Sequence, residues 1–147
     1  MKPLPHLYEV SLRDGPGGYA TLTASGPPEL RMAPPVEFDG PGDAWSPEQL
    51  MVAAVESCFL FTLRAVAANS RLEYTSIHIT GGGLLERKAG VTRITEIVLR
   101  PVLTLSPGGD ADAATRVLEK SAKLCFVSAS LSASVKLEPR VLVCNEE

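Results

Sequence analysis

Metal ligands, disulfide partners and clustered basic charge are all scarce in this sequence. Its two histidines, His6 and His78, stand far apart without ligand-spaced companions, so no zinc site is expected. Cysteine is limited to Cys58, Cys125 and Cys144. Three is too few, and the wrong parity, for the disulfide framework of a small secreted domain, and a reducing cytoplasmic setting is the expectation. Lys and Arg form no dense run and the formal net charge is −3, so nucleic acid is not an expected partner. The opening MKPLPHLYEV is broken by proline and lacks an apolar core, so it does not read as a secretory leader. The uninterrupted apolar pieces of the central run, 50–55 and 59–63, are far shorter than the roughly 18–20 residues of a membrane span. Glu48, Glu56 and Arg64 interrupt that run, and no membrane partner is expected.

What the chain does hold is one long apolar segment, residues 46–70, around which the rest is arranged. Ser46 can cap a helix, Pro47 suits its first position, and Gln49 can reach back to the Ser46 backbone. Apolar side chains then fall on almost every face, so the helix has to be covered all round. Trp45, just before the cap, is placed to staple over Leu50 or Met51. A cysteine in the middle of such a helix, Cys58, is more often inert packing than chemistry.

Before this helix, residues 4–13 and 19–24 read as strands joined by the turn Asp14-Gly15-Pro16-Gly17-Gly18. Residues 29–32 form a short strand stopped by Pro34-Pro35. After it, residues 73–85 and 91–105 form a hairpin, and Gly81-Gly82-Gly83 reads as a bulge or bend, with His78 on a polar face. Residues 110–124 form a second helix with Asp110 and Asp112 at its positive end, and residues 131–144 form a last strand with Pro139 at an edge. The plan is one α+β domain over residues 1–147, with helices on a mainly antiparallel sheet. One sheet covers one side of the central helix, so a second copy of the chain is expected on the other, as a homodimer.

A cysteine that reduces peroxides needs its thiolate favoured, a cation for the developing alkoxide, a carboxylate to orient that cation, and a second thiol to trap the sulfenic acid. Cys58, Cys125, Glu48 and an arginine would supply the set. Ser46-Pro47-Glu48-Gln49-Leu50, with Cys58-Phe59 ten residues after the glutamate and a second cysteine ending a later helix, resembles the OsmC/Ohr family of osmotically inducible and organic-hydroperoxide-resistance proteins.

The resemblance implies an OsmC-like α+β fold with a buried central helix and an intertwined homodimer with sites at the subunit interface. It also implies thiol-dependent reduction of organic hydroperoxides, with Cys58 as peroxidatic and Cys125 as resolving cysteine. Glu48 would be the acidic partner and Arg13, in the Arg13-Asp14-Gly15 turn, the catalytic arginine, with Arg31 as the fallback. No bound cofactor is implied, only an external dithiol reductant of lipoyl or other small type. Two departures from the family pattern stand out: Phe126 follows the second cysteine where proline is usual, and Trp45-Ser46-Pro47 replaces the usual approach to the helix. A dimeric small-molecule-binding protein without efficient turnover is the alternative reading, and a domain with inert cysteines a third.

Glu48 and Cys58 would lie roughly 15 Å apart on one straight helix at 1.5 Å per residue, too far for one guanidinium to touch both. Either Arg13 visits them in turn, or the run breaks between Val55 and Cys58. The break is the expectation, with Ser57 capping a new helix that places Cys58 in its first turn, where the helix dipole favours a thiolate.

Overall fold

The computed structural model describes residues 2–145. The chain divides into two compact units, Met1–Leu50 and Met51–Glu147.

The first unit carries an antiparallel three-stranded sheet, β1 (Ser11–Asp14), β2 (Ala20–Thr23) and β3 (Leu30–Met32), in that order. Gly17 and Gly18 turn the chain between β1 and β2 with φ of 69° and 80°, a conformation glycine adopts without steric cost. The strand expected over residues 4–13 is shorter than its pattern: only its last residues pair, and Leu7 and Tyr8 are 84% and 86% exposed. Alternation needs a surface to bury its apolar side, and this unit offers residues 4–10 none.

After β3, Trp45 holds the chain by its backbone. Its N–H donates to Arg31 O at 3.2 Å and its carbonyl accepts from Ala33 N at 3.0 Å, while the residue remains 46% exposed. Ser46 and Gln49 close the expected capping box. Gln49 N donates to Ser46 Oγ at 3.2 Å, and Ser46 N donates to Gln49 Oε1 at 3.0 Å.

The helix so started, α1, is continuous from Pro47 to Asn69. The break expected near Ser57 is absent: Ser57 Oγ donates back to Ala54 O at 3.2 Å and caps nothing. Over an 18-residue window its mean hydropathy is 1.8, so by length and composition it could cross a bilayer, contrary to the expectation drawn from its short apolar pieces. Many core helices share that property. Val55, Phe59, Leu63, Val66 and Ala67 form a buried stripe at helical spacing, while the remaining faces are partly or fully exposed.

In the second unit that stripe lies against β5 (Val91–Leu105), whose alternate residues Ile97, Leu99, Pro101, Leu103 and Leu105 are all buried. α2 (Ala111–Lys123) adds Ala114, Val117 and Leu118 to the same core. It begins as expected, with Asp110 accepting from Ala113 N at 2.9 Å.

β4 (Ser76–Lys88) pairs antiparallel with β5 across the two-residue connection Ala89-Gly90, both residues having positive φ (50° and 81°). The glycines at 81–83 are not the bulge, which lies between Leu84 and Leu85. Gly81 and Gly83 stand opposite Leu99 and Ile97, on the sheet face that receives α1. A Cβ on Gly81 would meet Glu56 Oε1 at 2.6 Å and Val52 Cγ1 at 2.8 Å, and one on Gly83 would meet Val52 Cγ2 at 2.9 Å. Close approach of the helix is what requires glycine here. His78, three residues before Gly81 on the same strand, is exposed as expected.

The C-terminal stretch departs from the mainly antiparallel plan. It forms two strands, β6 (Ser134–Leu137) and β7 (Arg140–Val143), both parallel to β5. The helical segment between β5 and β6 makes this possible, because a parallel pair needs a crossover connection. Pro139 falls between the two strands, opposite the stretch of β5 that contains Pro101.

Candidate active site

Cys58 lies half-buried near the middle of α1, one turn from Thr62 and beside the buried Phe59. Cys125 follows the end of α2, is 1% exposed, and leads into the single-turn helix α3 (Phe126–Ala129). The fold brings these two cysteines together. Burial pushes the Cys58 thiol up, but four groups outweigh it and leave its pKa below the ordinary value. They are the Val127 N–H, the Cys125 side chain, the Phe126 N–H and the Thr62 hydroxyl. Cys125 moves the other way. Its burial raises it first, Ser128 opposes through side chain and backbone, and the neighbouring Cys58 raises it further.

The result is an asymmetric thiol pair: one sulfur is favoured as thiolate, the other is kept protonated as its neighbour's hydrogen-bond donor. The activating device differs from the one expected. Backbone amides from the α3 turn do the work that the sequence assigned to a new helix start at Ser57. Phe126 matters here in a way its side chain does not suggest. That side chain is 82% exposed, whereas its backbone N–H is one of the groups that lower the Cys58 pKa, a donor that proline could not provide.

Glu48, Arg13 and Arg31 lie in the first unit. Glu48 occupies the first turn of α1 and lines an apolar cavity of about 340 Å³ with Leu12, Ala20, Met32 and Phe38. Its Oε2 is buried and has no hydrogen-bond partner among the described residues. Arg13 is exposed on β1, and neither it nor Glu48 forms an ion pair among the described residues.

Arg31 is already committed. Its guanidinium stacks 3.7 Å over the Tyr19 ring and pairs with Asp43 at 3.2 Å, while the Tyr19 hydroxyl donates to the same carboxylate at 2.9 Å. That hydrogen bond holds Asp43 below the usual carboxylate range, with Arg31 assisting. The Tyr19–Arg31–Asp43 cluster went unrecognised in the sequence, where only the 24-residue separation of Tyr19 and Asp43 was visible. Cys144 is exposed and free, and the described residues contain no group of three or more His, Cys, Asp or Glu able to hold a metal.

In the second unit a cysteine on the central helix stands beside a second cysteine that follows the crossover helix of an α+β fold. Residues 40–140 match the family model described as OsmC-like protein, and the chain belongs to that family. It is similar to the uncharacterized protein YmaD of Bacillus subtilis (strain 168), 27% identical over 107 residues that make up 71% of each chain. Among solved structures it resembles an OsmC-like protein of unknown function from Vibrio cholerae, with a TM-score of 0.79 at 20% identity over 93% of this chain and 99% of that one. It also resembles an organic hydroperoxide resistance protein from Elizabethkingia anophelis, with a TM-score of 0.76 at 20% identity, covering 98% of this chain and all of that one.

Proposed function

We propose that the chain is a thiol peroxidase that reduces organic hydroperoxides to alcohols, with Cys58 as the attacking sulfur. The observation that carries this is the asymmetric pair: a cysteine held below its ordinary pKa by two backbone N–H groups, with a second thiol against it. The Cys58 thiolate takes the terminal peroxide oxygen, the O–O bond breaks, and the alkoxide leaves and is protonated. The Cys125 thiol then condenses with the Cys58 sulfenic acid, forming a disulfide and releasing water. An external dithiol of lipoyl or other small type returns the pair to two thiols.

Glu48 and Arg13 have their place in this reading through a homodimer. Along the continuous α1, Glu48 is about 15 Å from Cys58, so one arginine does not join them within a protomer. Glu48 of the partner subunit and Arg13 of the partner subunit complete the site, the arginine steadying the developing alkoxide and the carboxylate orienting the arginine. Supporting this, a buried carboxylate oxygen without a donor costs about 1–3 kcal/mol. The apolar cavity beside Glu48 then receives the organic group of the substrate. Supporting the dimer itself, apolar side chains that a single chain leaves uncovered include Phe61, at 61% exposure, and Phe126.

Stopped-flow oxidation with tert-butyl hydroperoxide, followed by thiol counting, tests the proposal. The wild-type chain loses two of its three thiols at stoichiometric peroxide, and Cys58→Ser loses none. Retention of all three in the wild type would sink the peroxidase reading in favour of a binding protein without turnover.

A further inference from the structure

Cys125 is almost fully buried, yet it forms part of the wall of an open cavity of about 630 Å³. Glu119, Ala122 and Lys123 of α2, Ser128 of α3 and Val135 of β6 surround it, and Cys58 is not part of its wall. The two sulfurs of the pair therefore do not share this approach. We propose that the aliphatic dithiol that reopens a Cys58–Cys125 disulfide enters through this cavity and attacks Cys125 Sγ, making Cys58 the leaving sulfur. The proposal rests on the peroxidase reading for its place in the cycle.

Thiol–disulfide exchange is governed by which sulfur can be reached and by how well the other one leaves. The cavity decides the first. It has apolar wall at Ala122 and Val135 for a short aliphatic chain, and Lys123 at its edge draws in an anionic thiolate, against the opposing charge of Glu119. The amides decide the second. An electron pair arriving on Cys58 Sγ meets the N–H groups of Val127 and Phe126, whereas one arriving on Cys125 Sγ would be buried and opposed. Both considerations favour the same direction.

In the first step the reductant's thiolate bonds to Cys125 Sγ, the Cys58–Cys125 bond breaks, and Cys58 departs as thiolate. In the second, the reductant's other thiol displaces Cys125 and passes it a proton. The two electrons gained by the protein are those lost by the dithiol as it closes to a cyclic disulfide.

The test uses the full chain with Cys144→Ser, so that the exposed third thiol cannot scramble the product. Diamide forms the disulfide whether or not the protein reduces peroxides, which separates this question from the peroxidase reading. A brief reaction with 2-mercaptoethanol is acid-quenched, free thiols are capped with N-ethylmaleimide, and peptides are mapped by mass spectrometry. The expected product carries mercaptoethanol on Cys125 and maleimide on Cys58. The reverse pattern, an even mixture, or failure of diamide to join the two cysteines overturns the proposal. As a second measurement, Ala129→Trp, at an exposed position in the cavity wall, slows reduction of the disulfide by dithiothreitol several-fold. An unchanged rate in the folded variant also overturns it.

Discussion

At the scale of single residues, the chemistry turns on backbone donors that no side-chain pattern announces. Phe126 contributes an N–H to Cys58, and Phe126→Pro would remove that donor with little disturbance of the fold. Proline is tolerated at a first helical position, and Cys125 before it already has an extended ψ of 114° that suits a following proline. The expected outcome is a Cys58 pKa shifted back toward the ordinary range and a several-fold slower reaction with hydroperoxide at pH 7, measured by stopped flow. The pH dependence has a definite sign. Alkylation by iodoacetamide follows the thiolate, so Cys58 reaches its half-maximal rate at a lower pH than an ordinary free cysteine, and Cys125 at a higher one. Peptide-resolved alkylation between pH 5 and 10 checks both. Cys58, Cys125 and Glu48 were legible as candidates because their residue types and spacing are visible in the sequence. The amides were not, because every residue but proline carries one, and only the fold decides which ones point at a sulfur.

At the scale of elements, two glycines of β4 set how closely the central helix approaches the sheet. α1 lies against the β4–β5 sheet at Gly81 and Gly83, where an added Cβ would fall 2.6–2.9 Å from Glu56 and Val52 atoms. Gly81→Ala is expected to destabilise by about 1–3 kcal/mol through overpacking, seen as a lower urea midpoint. The β4–β5 turn offers the opposite change. Ala89 sits at φ 50°, costly for alanine and easy for asparagine, so Ala89→Asn should raise stability by about 0.5–1 kcal/mol in the same assay. The helix start at Ser46 is legible in the sequence because a cap is a local signal, and Asp110 is legible as an acidic residue at the positive end of α2, where it also caps. Local signals also misled. The three glycines look like a bend when read alone and are explained only by the helix packed against them. A break at Ser57 follows from a functional distance alone, whereas the backbone around it is uninterrupted helix.

At the scale of the whole molecule, β5 is the axis of the second unit, pairing with β4 on one edge and with β6 and β7 along the other. Periodicity could locate the C-terminal strands but not their direction, which depends on the crossover rather than on the residues within them. A homodimer is the proposed assembly, and its expected signature is sedimentation at twice the 15.6 kDa chain mass. Phe61→Glu, placing a charge on an exposed part of α1, should shift that equilibrium toward monomer. The crossover has one more consequence. Cys125 belongs to the connection that joins β5 to β6, so the chain on both sides of it returns to β5. The crossover thus frames the second cysteine between two anchors on one strand, α2 packed into the core that β5 lines and β6 paired along its edge.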